Sequence, residues 1–420
     1  MNFATSLKYM KYAINNAAPP FVFLALLYSF CCSSALADSF DDILKDVAVR
    51  NGLATSASLI NPVDAEVAEI GRGFFESRNL SNYRDVSCRD CHLNEFSSTD
   101  GIPIAVGING KGIGRERAQS AGEIIPRNTL ALWGRGHKGF DTFFWDGRVE
   151  LLNDGSVVSQ FGGSPPSFDP LTVAVHLPLV EIKEMLVESK EVKENKLESV
   201  SAAQIVFEYI LDNLKSWEPE LIARLAEAKG LQPNELSFLD VADSLSSFIR
   251  SEFRPRSTKF ERFVFENQSL TTDERDGALL FYGKAKCAVC HSGPYFSDFL
   301  YHTVPFPQLG AGKNGFGIDY GRFNVTHDPA DLYKFRTPPL INVASTSPYG
   351  HSGSVNALEE AVTFHFDPLR DISMLEEMAD LERTEYYKLL TSSNESLLTV
   401  PYLNSNEIAE IVAFLRTLSF

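Results

Sequence analysis

Cysteine, methionine, tryptophan and histidine are all scarce in this chain of 420 residues, which holds six, five, three and eight of them. Six cysteines are too few to staple a protein of this length, which excludes a disulfide scaffold. Basic residues are also short, at 38 Lys and Arg against 55 Asp and Glu, and a net charge of −17 speaks against nucleic-acid binding. No apolar run beyond the N-terminus is long enough to cross a bilayer, so no stable membrane insertion is expected. Alternating runs longer than about six residues are missing as well, which makes sheet a minor part. At 44% hydrophobic and 22% charged, with 27 Gly and 21 Pro, the chain is neither collagen-like nor disordered. Its length suffices for two or three domains with cores of their own.

The N-terminus reads as a leader. Lys8 and Lys11 precede an apolar stretch from Phe21 to Cys32, and Ala35-Leu36-Ala37 offers the small-x-small pattern of a signal-peptidase site. Residues 1–37 therefore read as a cleavable secretory signal rather than an anchor. Its removal discards Cys31 and Cys32, takes the net charge to −19, and places the mature chain in the periplasm. An acidic protein of this kind steers basic partners.

The four remaining cysteines fall in two identical patterns, Cys88-Arg89-Asp90-Cys91-His92 and Cys287-Ala288-Val289-Cys290-His291. C-x-x-C-H is the pattern of covalent c-type haem attachment. Two thiols on one turn form thioethers with the haem vinyl groups, and the adjacent histidine lies under the iron. A dithiol redox site has no use for the histidines, and a four-cysteine zinc site leaves both unexplained. Two haem c cofactors are the reading the spacing favours.

The surroundings repeat too. Glu66 to Phe75 and Asp273 to Tyr282 both read as amphipathic helices ending in an aromatic pair ahead of a haem motif. After the first motif, Pro126-Arg127-Asn128-Thr129 leads to Phe144-Trp145-Asp146-Gly147-Arg148. After the second, Phe335-Arg336-Thr337-Pro338 leads to Pro348-Tyr349-Gly350-His351-Ser352-Gly353. Between the copies, Asn195 to Phe265 has helical periodicity, with a helix start at Pro233-Asn234-Glu235-Leu236. The expected fold is mainly α: two cytochrome c-like haem domains in tandem, 38–255 and 256–420, with a helical connecting region and little β.

Together these motifs resemble those of the bacterial di-haem cytochrome c peroxidases, a superfamily that includes MauG. The resemblance runs from about Val63 to the C-terminus. It implies that hydrogen peroxide is reduced at the N-terminal haem, held by His92, and that the C-terminal haem, held by His291, takes electrons from a cytochrome c or cupredoxin donor. It also implies a homodimer and a calcium ion at the domain junction, with Asn128 and the carbonyls of Thr346 and Pro348 as ligands. Trp145 falls at the position of the inter-haem tryptophan. The family's catalytic glutamate maps to Glu184, which precedes Met185, with Glu181 as the second choice; its glutamine is missing, with Ala174 near that point. Arg127 and Arg148 are expected to bind haem propionates, since guanidinium pairs with carboxylates. No histidine lies between His92 and His137, so the N-terminal haem is expected to rest with an open position. His137 is expected in a mobile loop. At the second axial position of the C-terminal haem, where peroxidases carry methionine and MauG tyrosine, this chain has His365. The same resemblance leaves a MauG-like oxidase of a partner protein, or an electron-transfer cytochrome, as other functions of such a pair of haems.

Overall fold

The computed structural model describes residues 40–162, 164–186, 200–370, 376 and 378–420, so the expected signal lies outside it. Residues 47–420 form one compact unit. Helix α1 (Ala65–Glu76) starts where the Asp64 carboxylate accepts from the Glu66 and Val67 amides, and it buries Ala68, Ile70, Phe74 and Phe75 along one face. A three-stranded antiparallel meander comes after the first haem motif: β1 (Thr142–Phe143), β2 (Val149–Leu151) and β3 (Val157–Ser159). Helix α2 (Pro170–Val180) is apolar on nearly every side and accordingly buried; it starts with Pro170 after the Asp169 cap.

The connecting region holds α3 (Val200–Trp217), α4 (Pro219–Lys229) and α5 (Phe238–Glu252). The expected start at Pro233 is a turn instead. Ser237 and Asp240 close a capping box, and this reciprocal pair sets the beginning of α5 at Phe238. The second half comprises α6 (Lys259–Glu266), α7 (Thr272–Tyr282), the two-stranded pair β4 (Tyr301–His302) and β5 (Phe335–Arg336), then α8 (Leu358–Phe364), α9 (Asp380–Thr391) and α10 (Ser405–Arg416). The fold is mainly α with little β, as the sequence predicts.

Each half uses one device to seat its haem helix. Gly71 of α1 lies against α5 so closely that a Cβ would stand 1.8 Å from the Ser244 carbonyl oxygen. Gly277 of α7 lies against α10 in the same way, 1.8 Å from the Glu410 carbonyl oxygen. An extensive apolar cluster gathers Phe74, Leu177, Phe207 and Phe248 of the first half and reaches Tyr295 of the second. Phe260, Phe281, Phe296 and Phe414 pack ring on ring in the second. Among the described residues no helix is long and apolar enough to cross a membrane.

Candidate haem and peroxide site

The two C-x-x-C-H segments fold alike. Each cysteine pair spans one 3-10 turn, and the His92 and His291 amides donate back to the Cys88 and Cys287 carbonyls at 2.9 and 2.8 Å. Each histidine then uses Nδ1–H on a backbone carbonyl, Ser98 at 2.9 Å and Phe296 at 2.9 Å. That bond fixes the tautomer and leaves Nε2 free to ligate a metal. Burial lowers both imidazoles to about 4, so they are neutral near pH 7. Burial also pushes the Cys88 and Cys287 thiols up to about 12. A nucleophilic or redox dithiol needs the opposite shift. The thiols instead face two apolar-walled cavities, one per half.

The N-terminal cavity is lined by Cys88, Cys91, His92, Glu181, Glu184, Arg148 and, from the C-terminal half, Lys313. The two glutamates behave oppositely. Arg148 Nη1 donates to Glu181 at 3.0 Å and Lys313 stands 3.6 Å from it. Burial works against the Glu181 charge, but these two cations outweigh it and hold it as a carboxylate. Glu184 has no such ion pair among the described residues: burial first, and the Glu181 charge second, raise it to about 7. Both predicted glutamates therefore lie in this cavity, and Glu184 is the one able to hold or release a proton near neutrality.

One wall serves both cavities. Asn128, Thr129, Leu130, Arg135 and Trp145 line the N-terminal and the C-terminal cavity alike. Trp145 is buried, and its indole N–H donates to the Asn128 carbonyl at 2.9 Å. The Asn128 side chain reaches across to the Pro348 carbonyl at 2.7 Å, so two of the three expected calcium ligands meet here by a direct hydrogen bond. Thr346 lines the C-terminal cavity beside them.

Arg127 and Arg148 are occupied differently from the propionate role expected of them. Arg127 holds Asp319 at 2.7 and 2.8 Å and Asp146 at 2.6 Å. Arg148 holds Asp146 and Glu181. Both lie at the N-terminal cavity, but the protein's own carboxylates neutralise them. Of the arginines lining the two cavities, Arg135 and Arg336 are the pair that meet no carboxylate among the described residues. They are buried, stacked over Phe140, Phe143 and Phe299, and burial lowers them to about 9 and about 10. Arg336 Nη2 has no hydrogen-bond partner among the described residues. A buried cation without a counter-charge is costly, and a dianionic ligand in these cavities removes the cost. The cavities thus fit a haem with its two propionates. The chain's Gly134-Arg135-Gly136 and Phe335-Arg336-Thr337 segments carry the signal, which becomes readable only once their lack of acidic neighbours is seen.

In the C-terminal cavity, His365 faces His291 with ring centroids 6.4 Å apart. Two imidazoles on opposite sides of one metal ion keep centroids about 6 Å apart, given metal–nitrogen bonds of about 2.0 Å. Nδ1–H of His365 donates to the Ala361 carbonyl at 2.8 Å, which again frees Nε2. Four other histidines are engaged by the protein's own groups. His137 is not in a mobile loop: it is buried, accepting from the Asn61 amide and donating to the Arg250 carbonyl. His176 donates to the Thr172 carbonyl and packs on Phe207 and Phe238. His302 bonds Asp298 and Asn394, while His351 stacks on Phe335 and bonds Gln308.

A family model described as di-haem cytochrome c peroxidase matches residues 65–269. A cytochrome-c peroxidase of Pseudomonas sp. is 24% identical over 330 residues, 73% of each chain. A cytochrome c551 peroxidase of Nitrosomonas europaea is 24% identical over 86% of this chain and 82% of its own. The methylamine utilization protein MauG of Methylorubrum extorquens is 26% identical over 80% and 79%. Among solved structures, a MauG-like protein associated with microbial copper homeostasis superposes with a TM-score of 0.61 at 23% identity, covering 86% of this chain and 91% of that one. The dihaem peroxidase BthA of Burkholderia thailandensis gives 0.61 at 18% identity, covering 88% and 89%. The last two are likenesses of fold.

Proposed function

The chain belongs to the di-haem cytochrome c peroxidase and MauG superfamily, whose members are oxidoreductases, and we propose that it is a periplasmic peroxidase reducing hydrogen peroxide to water with electrons from a small cytochrome c or cupredoxin. Two haem c groups, attached through Cys88 and Cys91 with His92 and through Cys287 and Cys290 with His291, would supply the electron transfer and the peroxide-binding metal. Domain limits of 38–255 and 256–420 follow from this duplication.

The observation that carries the proposal is the asymmetry of the two cavities. The C-terminal one presents a second imidazole, His365, opposite His291. The N-terminal one presents an acid, Glu184, raised to about 7. A haem held by both imidazoles would suit electron transfer, and a cavity with a proton-exchanging acid would suit peroxide bond cleavage. In the overall reaction one peroxide, two electrons and two protons give two waters. Glu184, as carboxylate, would move a proton from one peroxide oxygen to the other, so that the O–O bond breaks with loss of one water, and the two electrons and two protons of the overall reaction carry the second oxygen to water. Arg148 and Lys313 keep Glu181 charged, and Glu181 in turn keeps the Glu184 proton exchangeable. Trp145, common to both cavities, is the residue through which the two halves exchange electrons. Arg135 and Arg336 anchor propionates, and a calcium ion held by Asn128, Thr346 and Pro348 would brace the wall between the cavities.

A second reading, oxidation of residues of a partner protein as in MauG, is favoured by the histidine at position 365, where the peroxidases are expected to carry methionine. Stopped-flow mixing of the diferric protein with peroxide, followed by steady-state turnover with reduced cytochrome c, separates them. Fast donor oxidation supports the peroxidase. A long-lived oxidised spectrum with poor turnover points to the second reading, and no spectral response removes both.

A further inference from the structure

Positive charge in the N-terminal cavity is unevenly engaged. Arg127 places Nε and Nη2 on Asp319 and Nη1 on Asp146. Arg148 places Nε and Nη2 on Asp146 and Nη1 on Glu181. Every nitrogen of both guanidinium groups is thus held by the protein. Lys313 differs. Its ammonium carries three donors. It stands 3.6 Å from Glu181 Oε1, beyond hydrogen-bonding distance, and makes no hydrogen bond among the described residues. It lines the same cavity as Glu184, while α2 contributes only apolar groups there, such as Ala174, Leu177 and Leu179.

The lysine reaches this cavity on a loop of the other half. Gly310, Gly312, Gly315 and Gly317 all have positive φ, which lets residues 310–317 fold tightly. A Cβ on Gly312 would stand 2.1 Å from the Ile318 carbonyl oxygen, and one on Gly310 would stand 2.5 Å from Ile104 Cδ1 of the N-terminal half. Asp319, two residues past the last of these glycines, is pinned by Arg127. The loop is therefore held against the cavity it enters.

We propose that Lys313 is a ligand-contacting residue of the N-terminal cavity, whose ammonium donates to a small anion or hydroperoxide bound there, so that the C-terminal half supplies part of the substrate site. An anion entering from water loses its hydration, and a cation with unused donors replaces it. This rests on the reading that the N-terminal haem keeps an open position.

Fluoride binding to the diferric holoprotein, followed by its high-spin absorption band, tests the proposal. Lys313→Met should raise the fluoride dissociation constant about tenfold or more, the effect of losing a hydrogen bond to a charged group. Lys313→Arg should stay within about threefold of the parent, because charge and donors remain. A Lys313→Met constant within about twofold of the parent overturns the proposal. A parent protein with no fluoride response overturns the open-position reading, and the proposal with it. If Lys313→Met fails to fold, Glu181→Gln serves instead: it frees Lys313 from its ion pair with Glu181 and should tighten fluoride, and unchanged or weaker binding then counts against the role.

Discussion

Glu181 and Glu184 are three positions apart and differ in what surrounds them. One is clamped by Arg148 and Lys313, the other is buried with no ion pair of its own among the described residues. A group raised to about 7 is mostly protonated below that pH and mostly ionised above it. Since proton abstraction needs the carboxylate, the second-order rate constant with peroxide should rise through about pH 7. Glu184→Gln should lower it by about 10²–10⁴ and flatten the profile; single-turnover kinetics between pH 5.5 and 8.5 check both, and an unaltered profile would count against Glu184. If His365 holds the second haem as proposed, His365→Met should raise the potential of that haem, because thioether favours the reduced iron. Spectropotentiometry reads this directly, and an unchanged potential means His365 is not a ligand. The C-x-x-C-H segments stand out in the sequence by local spacing and Glu181 and Glu184 by the resemblance, and the structure gathers both glutamates with Cys88, Cys91 and His92 around one cavity. The work of the arginines was not legible there: Arg127 is neutralised by Asp319, 192 positions away, and no local pattern announces that pairing.

At the scale of elements, both haem helices were readable from their period and late aromatic pair, and α1 and α7 occupy those stretches. The start of α5 was not, because Pro233 offers a stronger local signal than the Ser237–Asp240 box that actually begins the helix. Nor could periodicity show that Gly71 and Gly277 are contact points. At Gly277 even one methyl group must displace the α10 backbone, since the nearest atom is the Glu410 carbonyl oxygen. Gly277→Ala should therefore cost about 1–3 kcal/mol, the usual penalty of overpacking. Thermal unfolding should show the loss. An unchanged melting temperature would mean that α7 and α10 have more freedom than their crossing suggests.

At the scale of the molecule, the halves are joined by buried charge. Burial disfavours the Asp319 carboxylate, but Arg127 outweighs it and holds the pKa below the ordinary value; Asp146 lies well below, under Arg148 and Arg127. Carboxylates with depressed folded-state pKa values contribute stability above their unfolded pKa and lose it as pH falls through the folded one. The clasp should therefore hold at neutral pH and weaken under acid, below about pH 4. Asp319→Asn should destabilise the protein by about 3–5 kcal/mol at pH 7, because it removes one side of a buried pair. It should also make unfolding less dependent on pH between about 2 and 4. Chemical denaturation at several pH values separates these effects, and equal stability at pH 7 would show that Arg127 is satisfied by Asp146 alone.

Arg135 and Arg336 stay buried beside the two cavities with no acid paired to them among the described residues. A chain that has not received its haems would have to enclose both cations uncompensated. Compactness of the mature chain is therefore expected to depend on haem delivery. Limited proteolysis of a Cys287→Ala, Cys290→Ala variant should cut within the second half faster than in the parent; equal resistance would contradict this. Buried charge that only a charged cofactor neutralises would then couple the solidity of the chain to its loading.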